Sequence, residues 1–329
     1  ARWCEYHVAC AAAERAAAAA ERRQQAAAKQ DSENTPPPAA EAKAKSTQQD
    51  TDEQAELVLL CRRKLCPLSR AHFFVGEEVS VFVRRGPPRR HTTLTALQRA
   101  LAASRARAEE PLVLYYAVEL LSLVRALHAA GIVHGRVAPS SFSVCSSSGT
   151  ADADDSVLAH CTELGWSRGG LVCTDLAHAI DTAQYQRGTT FSASPLCVWA
   201  AEDAQDAGAV LAPAPWSFER DLVGVACAVH TLLYGAGTSS AVAQQDGRWA
   251  FATPLKRYWR TALWSALFDT LLNAGRVRDG ATAAALLERA RAPLAQAVAE
   301  DARLRREIRA QLARAAYVLS DYNAARASA

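Results

Sequence analysis

Two short stretches hold the residues whose types and spacing suggest chemistry. Residues 131–142 read "GIVHGRVAPSSF", and residues 171–177 read "LVCTDLA". Together they place an imidazole (His134), a guanidinium (Arg136), a hydroxyl (Ser141) and a carboxylate (Asp175) at the ends of apolar runs. A group-transfer site built there would need a proton acceptor and oxygen ligands for a cation. Arg136 stays protonated to about pH 12 and has no acceptor, so it cannot take a proton. The hydroxyl of Ser141 is a poorer Mg²⁺ ligand than an amide or carboxylate oxygen. Asp175 reads either as a lone metal ligand or as a carboxylate paired with a cation, Arg136 being the nearest candidate. His134 reads as a packing residue under the Asp175 turn that bonds a backbone carbonyl.

The elements around these residues follow from periodicity and punctuation. Residues 1–28 have no Gly or Pro and read as one helix. Residues 29–56 are polar, contain Pro and read as a disordered insertion. "HFFVGEE" and "VSVFVRR" are two β-type runs around a Gly-Glu-Glu turn. A helix over 93–108 takes Thr93 or Thr95 as its N-cap. The next, 111–131, runs from Pro111 to Gly131 and is apolar on nearly every face, which predicts a buried position. Residues 145–156 read as a loop, and "GGLVCTDLAHAID" as a buried strand with its turn. From Pro215 onward the chain reads as mostly helical. Leu304, Ile308, Leu312 and Leu319 mark a last amphipathic helix expected to pack back on its own lobe, with a coiled coil or a partner helix as the alternatives.

Composition narrows the class. A chain of 329 residues, half of them apolar, can bury a large core. A net charge of +3 with intermixed signs does not suggest a nucleic-acid-binding face. No run of about twenty uninterrupted apolar residues suggests a membrane span. The abrupt start and the lack of Met are expected of a piece of a longer protein. Nine scattered Cys suggest free, buried thiols in a reducing compartment. Cys4, His7, Cys10, Cys61 and Cys66 lack the paired spacing of a zinc ribbon, so no metal or other cofactor is expected. The "RRGPPRRH" cluster at 84–91 and Gly188-Thr189-Thr190 read as solvated loops. Trp216, Trp259 and Trp264 read as core residues before interface anchors.

The order helix, "LHAAGIVHG", loop, then a strand ending in "TDLA" resembles the C-lobe of protein kinases, whose signature is H-R-D-L-x-x-x-N followed by D-F-G. "DLAHAIDTAQYQRGTTF" and "PWSFERDLVGVACAVHTLLYG" are similar to Bub-type spindle-checkpoint kinases, and "RWCEY" is similar to the start of that family's regulatory helix. The resemblance implies an α+β, protein-kinase-like fold with a reduced N-lobe lacking the first strands and a mainly helical C-lobe. Its segments would be a regulatory-helix-like element over 1–28, the insertion over 29–56, the rest of the N-lobe and hinge over 57–110, and the C-lobe over 111–329.

In that frame Arg136 stands at the base position, Ala138 replaces the loop Lys, Ser141 the second metal ligand, and Ala177 the flexible Gly. Asp175 remains at the metal-ligand position. His134 and Asp221 keep structural positions, with Asp221 accepting N–H bonds from the 134–136 loop. Cys4 falls where the ion-pairing Glu is expected, with Glu5 beside it, and the Glu that closes the activation segment falls near Trp199. No Gly-rich loop and no Val-Ala-Ile-Lys strand occur. These departures resemble the pseudokinase branch of the family, which includes a kinetoplastid kinetochore protein. They imply an inactive scaffold of the nuclear kinetochore and spindle checkpoint, with kinetochore or checkpoint proteins as partners. Neither nucleic acid, membrane nor small-molecule substrate is expected. The alternatives are an atypical nucleotide-binding kinase using Asp175, and a helical adaptor unrelated to kinases.

Overall fold

The computed structural model describes residues 69–75, 79–84, 92–104, 108–144, 170–176, 178–192, 211, 215–235 and 240–327. The expected helix over 1–28, the insertion over 29–56, the 145–156 loop, residues 85–91, Ala177, Trp199 and the cysteines before residue 69 lie outside these. The two Phe/Val-rich runs form an antiparallel hairpin of β1 (Ser69–Val75) and β2 (Val79–Arg84).

β3 (Thr92–Thr93) leads into α1 (Leu94–Ala103). Of the two candidate caps Thr93 is the one used: its hydroxyl accepts from the Ala96 N–H at 3.1 Å. The helix stops short of residue 108. Ser104 forms its C-cap and turns its hydroxyl onto the Ala100 carbonyl, a local bond that competes with further helix.

α2 (Glu110–Ala129) is the central element. It is long and apolar enough to cross a membrane, but here protein surrounds it on all faces. Around it pack α3 (Glu219–Tyr234), α5 (Gly280–Glu300) and α6 (Ala302–Ala327). A three-stranded sheet of order β3-β5-β6 sits alongside, with β5 (Phe142–Val144) and β6 (Leu171–Cys173) fully buried. The carboxylate of Glu119, midway along α2, accepts from the Leu171 N–H at 3.1 Å and so fastens this sheet to the helix. β4 (Ile132–Val133) pairs antiparallel with β7 (Ile180–Asp181).

The region after Pro215 is not helical throughout. Between α3 and α4 (Thr261–Leu272) the chain forms a hairpin of β8 (Val242–Gln245) and β9 (Arg248–Phe251). Its two-residue turn, Asp246-Gly247, has φ of 50° and 76°. Positive φ at both positions matches the twist of the flanking strands, and Asp-Gly is a strong signal for it. In α6 Leu304, Ile308 and Leu319 are buried against the rest of the lobe, as expected of a helix that packs back; Leu312 lies partly buried on the same cluster. Trp216 and Trp264 are core residues, while Trp259 is half-buried against Tyr234.

His230, near the end of α3, is 1% exposed and packed by rings: Phe251 at 4.1 Å, Tyr234 at 4.6 Å and Phe268 at 6.2 Å between centroids. Burial lowers its pKa to about 4. The unfolded imidazole takes up a proton near pH 6.5 and the folded one near 4, so between these values the unfolded chain holds more protons. Stability therefore falls as pH falls through that window, by roughly 3 kcal/mol in all. Urea unfolding of the chain and of His230→Phe at pH 7 and pH 4 should show the variant losing less stability on acidification. An identical acid loss in both would contradict this account.

Candidate functional site

The loop of interest follows β4, and a single carboxylate organises it. Asp221 lies in the first turn of α3 with no exposed surface. Its Oδ2 accepts from the His134 N–H at 2.6 Å and meets His128 Nε2 at 2.9 Å. Its Oδ1 accepts from the Gly135 N–H at 2.8 Å. A carboxylate removed from water needs this many partners to offset its desolvation. The Gly135 peptide is held from its other side too, since Arg220 Nε donates to the Gly135 carbonyl at 3.0 Å. The Arg220 guanidinium lies 4.7 Å from the Trp216 ring centroid.

Gly135 has φ of 76°, and a Cβ there would stand 2.6 Å from the His178 carbonyl. Only glycine lets the loop run this close to the segment after Asp175.

His134 is buried and stacks on Phe142, centroids 5.5 Å apart. Burial lowers its pKa, against the opposing pull of the Asp221 and Asp175 carboxylates. The ring is accordingly neutral. Its Nδ1 accepts from the Arg136 N–H at 3.3 Å, so Nε2 carries the proton and donates to Cys173 Sγ at 3.5 Å. A backbone hydrogen bond of the ring also raises its pKa, without offsetting burial. A neutral imidazole in this tautomer packs while accepting from one backbone N–H.

Arg136 is exposed, and its Nη1 lies 3.4 Å from His178 Nε2. This contact places the guanidinium on the 178 side of the loop. Ser141 is fully buried, and its hydroxyl donates to the Arg136 carbonyl at 3.0 Å. Ala138 and Asp175 are half-buried, and the Asp175 carbonyl accepts from Cys173 Sγ at 3.8 Å.

Downstream, Thr182 donates through both its N–H and its hydroxyl to the Gly131 carbonyl, at 3.0 and 2.6 Å. Thr189 donates its hydroxyl to the Gln186 carbonyl, so the Gly188-Thr189 segment is a closed, half-buried turn. Phe191 and Trp216 exchange reciprocal backbone bonds of 2.7 and 2.8 Å. The segment after Asp175 is thus tied at both ends, to the start of β4 and to the residues before α3.

Three residues that matter here were not singled out by sequence reasoning: His128, Arg220 and His178. His128 carried the clearest signal, as a polar ring in the last turn of an otherwise apolar helix. Among the described residues no three His, Cys, Asp or Glu side chains come together in a way that could hold a metal. With Ser141 bonded into its own loop and Arg136 beside it, the donor set does not fit a Mg²⁺–nucleotide.

A buried helix, a short loop clamped by an Asp of a second buried helix, and a strand that stops two residues before Asp175 make this an α+β, protein-kinase-like fold with a mainly helical C-lobe. Sequence comparison identifies the type. No family model matches the chain. It is 31% identical over 176 residues to the spindle assembly checkpoint serine/threonine-protein kinase BUB1 of Saccharomyces cerevisiae, covering 53% of this chain and 16% of that protein. It is 30% identical over 191 residues to the mitotic checkpoint serine/threonine-protein kinase BUB1 of Arabidopsis thaliana, covering 52% of this chain and 32% of the relative. The crystal structure of the BubR1 kinase domain superposes with a TM-score of 0.47 at 21% identity, over 73% of this chain and 64% of that one. The matched half of the chain is homologous to Bub1-type spindle checkpoint kinases, and a helical adaptor unrelated to kinases is excluded. The chain spans about a sixth of the yeast relative and a third of the plant one.

Removing the Asp221 carboxylate leaves two buried backbone N–H groups and His128 without their acceptor. Asp221→Ala should cost about 3–5 kcal/mol in urea unfolding. Asp175→Asn, at a half-buried position, should cost less than about 1 kcal/mol. Equal effects at the two positions would show that Asp221 is not the clamp.

Proposed function

We propose that this chain is a catalytically inactive kinase-fold scaffold that works through protein–protein contacts in the spindle checkpoint, at the kinetochore and in the nucleus. The observation that carries the reading is Arg136. It stands where a kinase of this type needs a carboxylate, and a guanidinium neither orients a substrate hydroxyl as an acceptor nor takes its proton. The neighbouring positions support the same reading. The Ser141 hydroxyl is bonded within the loop, and Ala138 supplies no cation for a transferring phosphoryl group. Checkpoint proteins are the partners that the names of the relatives suggest, and kinetochore proteins are part of the same proposal.

Asp175 keeps one metal-ligand position, so nucleotide binding is the property to measure. The chain and its Asp175→Asn variant should unfold at the same temperatures with and without millimolar ATP and Mg²⁺. A ligand present at 100 times its Kd adds about 2.7 kcal/mol, which moves the midpoint of a chain this size by a few degrees. A Mg²⁺-dependent rise lost in Asp175→Asn, or phosphoryl transfer abolished by that substitution, would overturn the proposal in favour of an atypical kinase.

A further inference from the structure

A cavity of about 260 Å³ opens between the segment after β7 and the start of α5, and none of residues 134–136 lines it. Arg187 reaches it from the first side and Arg278 from the second. Both are exposed, and among the described residues neither side chain makes a hydrogen bond or an ion pair. Two cations from different elements therefore face one space without a protein anion bonded to either.

Each guanidinium is carried on fixed backbone. Arg187 is the second residue of a turn that the Thr189 N–H closes onto the Gln186 carbonyl at 3.1 Å, reinforced by the Thr189 hydroxyl. Arg278 stands between two anchored residues. The Val277 carbonyl accepts from the Phe218 N–H at 3.2 Å, and Asp279 is the N-cap of α5. Asp279 brings the single carboxylate of the lining, and its Oδ1 already accepts from the Thr282 N–H at 2.8 Å. Its pKa is lowered first by its bonds to Thr282 and to a lesser extent by the charge of Arg187.

Two guanidiniums against one carboxylate leave the cavity net positive, so its ligand is an anion. A planar carboxylate fits the fork of one guanidinium edge to edge. A phosphoryl group carries about −1.5 to −2 charge and points three oxygens in different directions, which suits cations arriving from two sides. The rim indicates what carries that group. Tyr185 lines the cavity, is 52% exposed, and is held edge-on against Phe191 with centroids 5.1 Å apart. A fixed, exposed ring beside the cations offers apolar contact to the residues flanking a phosphorylated side chain, and nothing to inorganic phosphate.

We propose that this cavity binds a phosphorylated serine or threonine of another protein, its phosphoryl oxygens between Arg187 and Arg278 and its neighbouring residues against Tyr185. No bond is made or broken. The assignment goes beyond the scaffold reading and does not depend on it, since it holds whether or not the 134–136 loop transfers phosphoryl groups.

The test uses fluorescein-labelled pools of short peptides with degenerate flanks, followed by anisotropy on the full 329-residue chain. One pool has phosphoserine and phosphothreonine at its centre, and the other has serine and threonine. The phosphorylated pool should bind saturably and about tenfold tighter or more. Arg187→Gln and Arg278→Gln should each weaken it by about tenfold, as the loss of a charge-assisted hydrogen bond requires, and leave the other pool unchanged. Both residues are exposed, so unchanged thermal unfolding is expected, and either variant alone suffices. Arg257→Gln, an exposed cation outside the cavity, should change neither pool. Equal binding of the two pools, or a loss in Arg257→Gln as large as in Arg278→Gln, would overturn the assignment. Inorganic phosphate competing as tightly as the phosphorylated pool binds would overturn the assignment to a protein ligand.

Discussion

A carboxyl group with no exposed surface needs hydrogen-bond donors around it to offset its lost hydration, and the arrangement of the lobe around Asp221 meets that constraint. Two backbone N–H groups from one loop and an imidazole from the end of α2 converge on it. Each donor fixes something different. The imidazole sets where α2 ends relative to α3, and the two N–H groups set the path of the 134–136 loop. Gly135 follows from the same geometry, because a loop drawn against α3 also runs into the His178 carbonyl. The loop shape is therefore a consequence of desolvation and has no need of a substrate.

That independence means that the form of the loop does not rest on the side chains it presents to solvent. The bonds that hold it are made by backbone atoms and by buried side chains: Asp221, Arg220, His134 and Ser141. The Arg136 side chain is exposed and enters none of them. A change of side chain at that position would leave every supporting bond intact. His134 shows the same separation. Its ring is held by the Arg136 N–H on one side and the Cys173 sulfur on the other, so both nitrogens are engaged inside the lobe.

How far these features were legible in the sequence depended on whether the signal was local. The Thr93 cap, the Pro111-to-Gly131 span of α2 and the buried face of α6 rest on residues within one or two turns of each other, and the fold follows them. The contact between Asp221 and the 134–136 loop spans about 85 residues and was legible only through the order of motifs. The β8–β9 hairpin was missed although Asp246-Gly247 announces it, because the alanine-rich surroundings outweighed a two-residue turn. The contact of Arg136 with His178 was not foreseen, because the side chain's direction is set by a backbone path that no matching of charges by type contains. His128 was overlooked because its partner lies 93 residues away.

An apolar helix buried on every face has a further difficulty: hydrophobic contact alone is nearly indifferent to sliding or rotating it. α2 carries polar groups at three heights that remove this freedom. At its start Glu110 accepts from the Arg260 N–H and from Trp264 Nε1, which joins it to α4. In its middle Glu119 holds β6. At its end His128 meets Asp221. A one-residue slip of 1.5 Å with its 100° rotation would break all three bonds together and leave carboxylates buried without donors. Hydrophobic burial supplies most of the energy that keeps α2 inside the lobe, and these three bonds decide the register in which it sits. The same three attach it to α4, to the sheet and to α3. The candidate site is therefore one outlet of a helix whose placement is specified along its whole length.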